Sequence, residues 1–127
     1  MDKITITEPF EQPLRWVVHD GEPGRFAVAT LYLEPLQTEA VEYVIALPPG
    51  DLLEEVHPAY ITAVGEGVHN FAEDNEVVGL RVTLTDIRAS AIDSSAHAFQ
   101  VAAQKAMHQA MKTHGVPAPP FPGKISV

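Results

Sequence analysis

The six histidines of this 127-residue chain are the side chains that could perform the widest range of chemistry, because imidazole ligates metals and transfers protons near neutral pH. None of them falls in an H-x-x-x-H or H-E-x-x-H pattern, which would place two ligands on one face of a helix. His97 and His108 are about three helical turns apart, too far to bind one ion. The chain has no cysteine, which excludes disulfides, thiolate zinc sites and iron–sulfur clusters. We therefore expect no metal site and no cofactor.

Candidate nucleophiles and acid/base pairs have simpler structural explanations. The run Asp93-Ser94-Ser95 lies close to His97, but a serine nucleophile needs a base within hydrogen-bond reach and a group that orients that base. Helix capping accounts for the same residues. Glu54-Glu55 and Glu73-Asp74 read as solvated charges at the ends of a predicted helix. The sequence thus predicts no catalytic residues and no enzyme.

Phosphate-binding motifs are also missing from the sequence. The stretch Gly21-Glu22-Pro23-Gly24 matches neither G-x-G-x-x-G nor G-x-x-x-x-G-K-[ST] and reads as a turn, so we expect no nucleotide ligand. Seventeen acidic and eight basic residues give a formal charge of −9. This net charge opposes broad contact with a phosphate backbone, so any binding of phosphates would require a local cationic patch.

The length and composition are those of one compact domain. Hydrophobic residues make up 46% of the chain and charged residues 20%, which is typical of globular proteins. We expect a single domain over residues 1–127, with a proline-rich C-terminal tail at 116–127. Met1 is not followed by an apolar signal region, and no apolar run is long enough to span a bilayer. These features predict a cytoplasmic protein with no membrane partner.

The elements that position these residues can be predicted from periodicity. Alternating and β-branched runs predict strands at 4–7, 14–18, 25–33 and 41–46, which favours an antiparallel sheet. Apolar residues at three- and four-residue spacing predict a helix over about 57–73. A strand over 77–87 follows, and its alternation directs Leu80, Val82 and Leu84 to the core.

A second helix is predicted after the capping residues Asp93-Ser94-Ser95. Its apolar stripe is formed by Phe99, Ala102, Ala103, Ala106, Met107 and Ala110. We predict that Phe99 packs in the core between this helix and the sheet. Gly115 follows the last periodic residue, where a glycine commonly adopts the left-handed conformation that ends a helix.

Four collinear motifs carry a resemblance to a known family. They are V-T-L-T-D at 82–86 with I-D-S-S at 92–95, A-F at 98–99 and V-A at 101–102; the glycine loop at 21–26; E-P-L at 34–36; and Y-I, A-V and G within 60–67. In order and spacing they resemble domain IV of elongation factor G, the ribosomal translocation factor. The resemblance covers nearly the whole chain.

The resemblance implies a fold and a role. The implied fold is α+β: a mostly antiparallel four-stranded sheet with two helices on one face and a left-handed β-α-β crossover, against the usual right-handed preference. In the family this domain enters the decoding region of the small ribosomal subunit, while a separate domain hydrolyses GTP. The resemblance therefore implies a free-standing, non-catalytic binding module without the GTPase domain.

The two loop tips depart from the family. Where the family has Y-H-D before V-D-S-S, this chain has Ala89, Ser90 and Ala91, and Pro23 replaces the arginine of the family's glycine loop. Two interpretations follow. In the first, the tips bind the ribosome or RNA weakly through the candidate residues Gly24, Arg25, Arg88 and Ser90. In the second, the scaffold has lost RNA binding and serves as a protein-interaction or structural domain.

Overall fold

A computed structural model describes residues 3–17, 26–47, 58–89 and 94–119 of the chain. Four strands are followed by a helix, a strand and a second helix, the order that periodicity predicts for this part of the chain. They are β1 (Ile4–Thr5), β2 (Phe10–Val17), β3 (Phe26–Pro35), β4 (Val41–Ile45), α1 (Pro58–Asp74), β5 (Leu80–Arg88), α2 (Ala96–His114) and β6 (Val116–Pro117).

The main sheet has four strands in the order β2-β3-β5-β4. The pairs β2/β3 and β3/β5 are antiparallel, whereas β4 and β5 are parallel and are connected through α1. This β4-α1-β5 unit is the crossover that the resemblance implies. The left-handedness of the crossover remains a prediction. A separate antiparallel pair, β1 and β6, joins the two ends of the described chain. The predicted class, α+β with a mostly antiparallel four-stranded sheet, is confirmed.

The core lies between one face of this sheet and the two helices. On β5, Leu80, Val82 and Leu84 are fully buried, as their alternation predicts, and the same alternation buries every second residue of β3. Both helices place their buried residues in the same hydrophobic cluster as these strands. Two helices therefore cover one face of the sheet, because each apolar stripe needs the buried side of the strands to exclude water.

Strand β2 is longer than its sequence suggests. We predicted that this strand begins at residue 14, because Pro9 and Pro13 break the preceding stretch, yet β2 runs through Pro13 from Phe10 to Val17. The position of β2 at the edge of the sheet explains this difference, since a proline without an N–H group is tolerated where one side of the strand has no partner.

The start of β5 also differs from the prediction. The strand begins at Leu80 and not at Val77, because Glu76 and Gly79 have φ angles of 56° and 72° that are incompatible with an extended strand. Val77 instead forms an isolated bridge with Ile4. The turn at 75–79 thus connects α1 to β5 and anchors β1.

The prediction of a left-handed Gly115 is wrong. Its φ and ψ are −67° and 137°, an extended conformation that any residue can adopt. The glycine is required by a close approach instead, because a Cβ atom there would lie 2.4 Å from the Met111 carbonyl oxygen. The Gly115 N–H donates to that same oxygen at 2.9 Å and ends α2.

Tyr43 connects β4 to α1. Its hydroxyl donates a hydrogen bond to the Ile61 carbonyl at 2.8 Å, and its ring lies directly over Gly65, where a Cβ atom would come within 2.7 Å of the ring. Burial raises the pKa of the Tyr43 hydroxyl well above its ordinary value. The folded protein therefore favours the protonated form.

We expect Tyr43 to make stability fall in alkali. Below the ordinary tyrosine pKa of about 10 both states hold the proton and the stabilisation is complete; above it the unfolded chain releases the proton first, so stability decreases as pH rises. Tyr43→Phe should lose about 1 kcal/mol at pH 7 and show a weaker decrease between pH 9 and 11. Urea unfolding across that range measures both effects. Tyr32→Phe is the control for removing a tyrosine hydroxyl, and identical slopes for wild type and Tyr43→Phe would contradict the assignment.

Candidate binding surface at one end of the sheet

The strand ends that flank the two predicted loop tips lie at the same end of the main sheet. Val17, the last residue of β2, is opposite Phe26, the first residue of β3. Val28 in turn is opposite Arg88, the last residue of β5. The chain therefore leaves and re-enters the sheet at neighbouring points, and we call this the tip end.

Hydrogen bonds connect three elements at the tip end. The Ser94 hydroxyl donates to the Phe26 carbonyl at 2.8 Å, and the Tyr60 hydroxyl donates to the Ser94 carbonyl at 3.3 Å. These bonds join the entry to α2 with the start of β3 and the first turn of α1. The position of the tip end is thus set by the core and not by the loops alone.

Ser95 begins α2 as its N-cap. Its hydroxyl accepts a hydrogen bond from the Ala98 N–H at 3.1 Å, so the capping role predicted for this run is confirmed at Ser95. Asp93, the first residue of the predicted run, lies outside the described residues. Because Ser94 and Ser95 both make structural hydrogen bonds, the geometry offers no separate role for either as a nucleophile.

Both helices direct their N-termini to the tip end. Tyr60 in the first turn of α1 contacts Ser94, and α2 starts just after that residue. A helix N-terminus carries a partial positive charge from its aligned peptide dipoles. These dipoles favour anions at the tip end, in a protein whose net charge is −9.

Arg88 is an exposed cation at the tip end, and it is paired. Its Nε lies 3.4 Å from Asp86 Oδ2, with 58% of the arginine side chain and 34% of the aspartate side chain exposed. Exposed pairs of this kind contribute at most about 1 kcal/mol, so an incoming phosphate can displace the carboxylate. The sequence interpretation missed Asp86, although a spacing of two residues puts both side chains on one face of a strand.

The sequence profile described as "Elongation factor G, domain IV" matches residues 3–114. The chain belongs to this family.

Two relatives of this domain IV chain illustrate its similarity. It is 34% identical over 113 residues to Elongation factor G 1 of Syntrophomonas wolfei subsp. wolfei, an alignment that covers 85% of this chain but 16% of that factor. A crystal structure of a Thermus thermophilus protein superimposes with a TM-score of 0.73 at 24% identity, over 90% of this chain and 17% of that one. The second likeness supports the fold alone, and the chain spans about one sixth of both proteins.

The motifs that place the domain IV chain in its family serve mainly its core. Val82 and Leu84 of V-T-L-T-D are buried in β5, and Ala98, Phe99 and Ala102 are buried in α2. These residues explain why the fold persists at modest identity. They carry no information about what the tip end contacts.

The candidate tip residues of the domain IV chain divide into two groups. Arg88 lies at the end of β5, exposed and beside Asp86. Gly24, Arg25 and Ser90 fall outside the described residues, between β2 and β3 and between β5 and α2 in the chain. The structure therefore gives the surroundings of one of these residues.

Other features of the described residues do not point to catalysis. Within 3–17, 26–47, 58–89 and 94–119, no group of three or more His, Asp or Glu residues could hold a metal ion, and no buried side-chain N or O atom is without a hydrogen bond. A groove of about 630 Å³ lies between β2 and α2, lined in part by Leu14, Lys105 and His108, away from the tip end. Neither described helix is long and apolar enough to cross a membrane.

Proposed function

We propose that this chain is a non-catalytic binding module of the translation-factor type, which contacts ribosomal RNA weakly through its tip end. Family membership supports a role connected with translation. The observation that carries the proposal is the strand register, which brings the end of β2, the start of β3 and the end of β5 to one end of the sheet beside two helix N-termini.

Charge limits how such a contact forms. A surface with a net charge of −9 repels phosphates over most of its area, so affinity has to come from a few cations. Arg88 is one of the described cations at this end of the sheet, with Arg15 in the same row opposite Val28, and we assign a second phosphate contact to Arg25. Gly24 and Ser90 would allow close approach of the backbone and a hydroxyl hydrogen bond. Binding through so small a site is weak and salt-sensitive.

The proposal assigns no chemistry to this chain. The Syntrophomonas factor is much longer than the region it shares with this chain, which is 16% of its length, so any activity of the whole factor is not transferred here. We place the module in the cytoplasm, where ribosomes are found. GTP hydrolysis and nucleotide binding form no part of the proposed function.

A salt titration of small-subunit binding tests the tip end. If Arg25 and Arg88 contact phosphates, Arg25→Ala and Arg88→Ala should each lower the slope of log K against log salt by about one unit. Asp86→Asn should tighten binding several-fold at low salt, since it removes the carboxylate 3.4 Å from Arg88 Nε.

A matched control lies at the other end of β5. Glu42→Gln makes the same charge change at an exposed ion pair, with Arg81 Nε at 2.9 Å from Glu42 Oε1, and should leave binding nearly unchanged. Equal tightening by Asp86→Asn and Glu42→Gln would show that net charge alone matters. Tight binding that both arginine variants retain with unchanged slopes would refute the proposed contact.

One observation favours the second candidate function, a protein-interaction domain. Val44 and Ile45, adjacent residues of an edge strand, are exposed although both are large and apolar. No detectable binding of wild type to small subunits at low salt would favour this alternative.

A further inference from the structure

The two edges of the main sheet are protected differently. Strand β2 carries Pro13 near its middle, a residue that cannot donate to an incoming strand. Strand β4 has the sequence V-E-Y-V-I, with no proline and no lysine, and its register with β5 is uninterrupted. Natural proteins usually block an edge that has no partner, so the open edge of β4 is the exception in this sheet.

Exposed apolar surface coincides with the open edge. Among the described residues, the large hydrophobic side chains that are exposed are Val44, at 38%, and Ile45, at 54%. A single exposed apolar residue is ordinary, but Val44 and Ile45 point to opposite faces of the sheet, so apolar side chains flank the open edge on both faces.

The backbone groups of β4 show which atoms are available. The Leu80 N–H donates to the Ala40 carbonyl at 3.1 Å, and the Ala46 N–H donates to the Leu84 carbonyl, so even-numbered residues here direct their backbone groups to β5. Alternation along the strand then directs the N–H and C=O groups of Val41, Tyr43 and Ile45 away from β5. No strand of the described residues pairs with them.

We infer that β4 pairs in antiparallel fashion with β4 of a second copy of this chain, with Tyr43 opposite Tyr43 across a twofold axis. This register places Val41 opposite Ile45, so every outward-facing residue both donates to and accepts from its opposite residue. Such strand addition is a common mode of recognition, and a twofold axis makes one surface complementary to itself.

Side chains select the same register. With Tyr43 at the centre, Glu42 of one copy lies opposite Val44 of the other, so no like charges face each other. Glu42 also forms an exposed ion pair with Arg81 of its own chain, at 2.9 Å. A register centred on Glu42 would place two carboxylates in direct opposition, which is unfavourable. A register centred on Val44 would leave the backbone groups of Val41 unpaired.

Sedimentation velocity of the full chain over a range of concentrations tests the dimer. Ile45→Pro removes an N–H that faces the open edge and no bond to β5, so it should weaken the dimer on the order of tenfold or more. Val44→Glu places a carboxylate opposite Glu42 of the second copy and should weaken it to a similar extent. Val44→Lys is the matched control, because its ammonium group would instead meet that carboxylate and preserve or tighten the dimer. Urea unfolding of each variant as a dilute monomer checks that the fold is intact.

Salt separates this surface from the tip end. Because each copy carries −9, screening should tighten the dimer as salt rises, whereas binding to ribosomal phosphates should weaken. A wild type that stays monomeric to millimolar concentration at high salt would overturn the inference. A dimer that Ile45→Pro and Val44→Glu leave unchanged, or that Val44→Lys weakens as much as Val44→Glu, would overturn the assigned strand and register.

Discussion

Replacing Phe99 with alanine is expected to lower the free energy of unfolding by about 3–5 kcal/mol, the usual cost of truncating a fully buried phenylalanine. Phe99 has no exposed surface and is the largest of the fully buried side chains in the described part of the chain. Its ring stacks on Tyr60, with ring centroids 4.9 Å apart. Truncation would remove this contact and leave a cavity between the two helices. Tyr60 cannot move to fill the cavity, because its hydroxyl is held by the hydrogen bond to Ser94.

Urea unfolding monitored by circular dichroism measures this loss. Lys105→Ala, an exposed substitution on the same helix, is the control and should change the free energy of unfolding by no more than about 0.5 kcal/mol. A loss well below 1 kcal/mol for Phe99→Ala would mean that the core rearranges to fill the space. Confirmation would show that Phe99 stabilises the fold through core packing.

Replacing Gly67 with alanine should destabilise the protein by about 1–3 kcal/mol, through overpacking at the contact between the helices. A Cβ atom on Gly67 would lie 2.4 Å from the Gln100 carbonyl oxygen and 2.8 Å from Ala103 Cβ. Both are much shorter than van der Waals contact, and one of them involves backbone, so α1 and α2 would have to separate.

Helix propensity alone would change the stability in the opposite direction to this prediction. In an unconstrained helix, changing glycine to alanine stabilises by about 1 kcal/mol, so a loss can come only from the tertiary contact. Thr62→Ala on the exposed face of α1 is the control and should be neutral or slightly stabilising. If Gly67→Ala raised the denaturation midpoint, the close approach of the two helices would be wrong.

Local periodicity determined most of the elements. The alternation of Leu80, Val82 and Leu84 and the helical spacing around Phe99 predict both element type and buried face, because side-chain direction repeats every two residues in a strand and every 3.6 in a helix. The cap at Ser95 follows from the same local chemistry. These features depend on residues close together in the chain, which is why they could be predicted without a structure.

The candidate site was predictable only in part. The sequence placed Arg88 on a loop tip after a strand ending at residue 87, whereas the structure makes it the last residue of β5, paired with Val28. Its partner Asp86 was overlooked, and the reduced charge of the pair changes which substitutions should affect binding. The meeting of the start of β3 and the end of β5 at one end of the sheet depends on Val28 lying opposite Arg88, a pairing of residues far apart in the chain. Local sequence patterns cannot predict such a register.

By itself, the sequence determined the number, type and buried faces of the main elements, the absence of cysteine chemistry, and the family resemblance. The tertiary structure decided that β4 lies parallel to β5 at an edge, that Pro13 belongs inside an edge strand, and that Gly115 is needed for a close approach to Met111. It also decided which strand edge is open and which end of the sheet gathers the helix N-termini. The physical reason is that secondary structure follows the period of neighbouring residues, whereas strand order, edges and close approaches arise from contacts between distant parts of the chain, whose geometry is set only when the whole core packs.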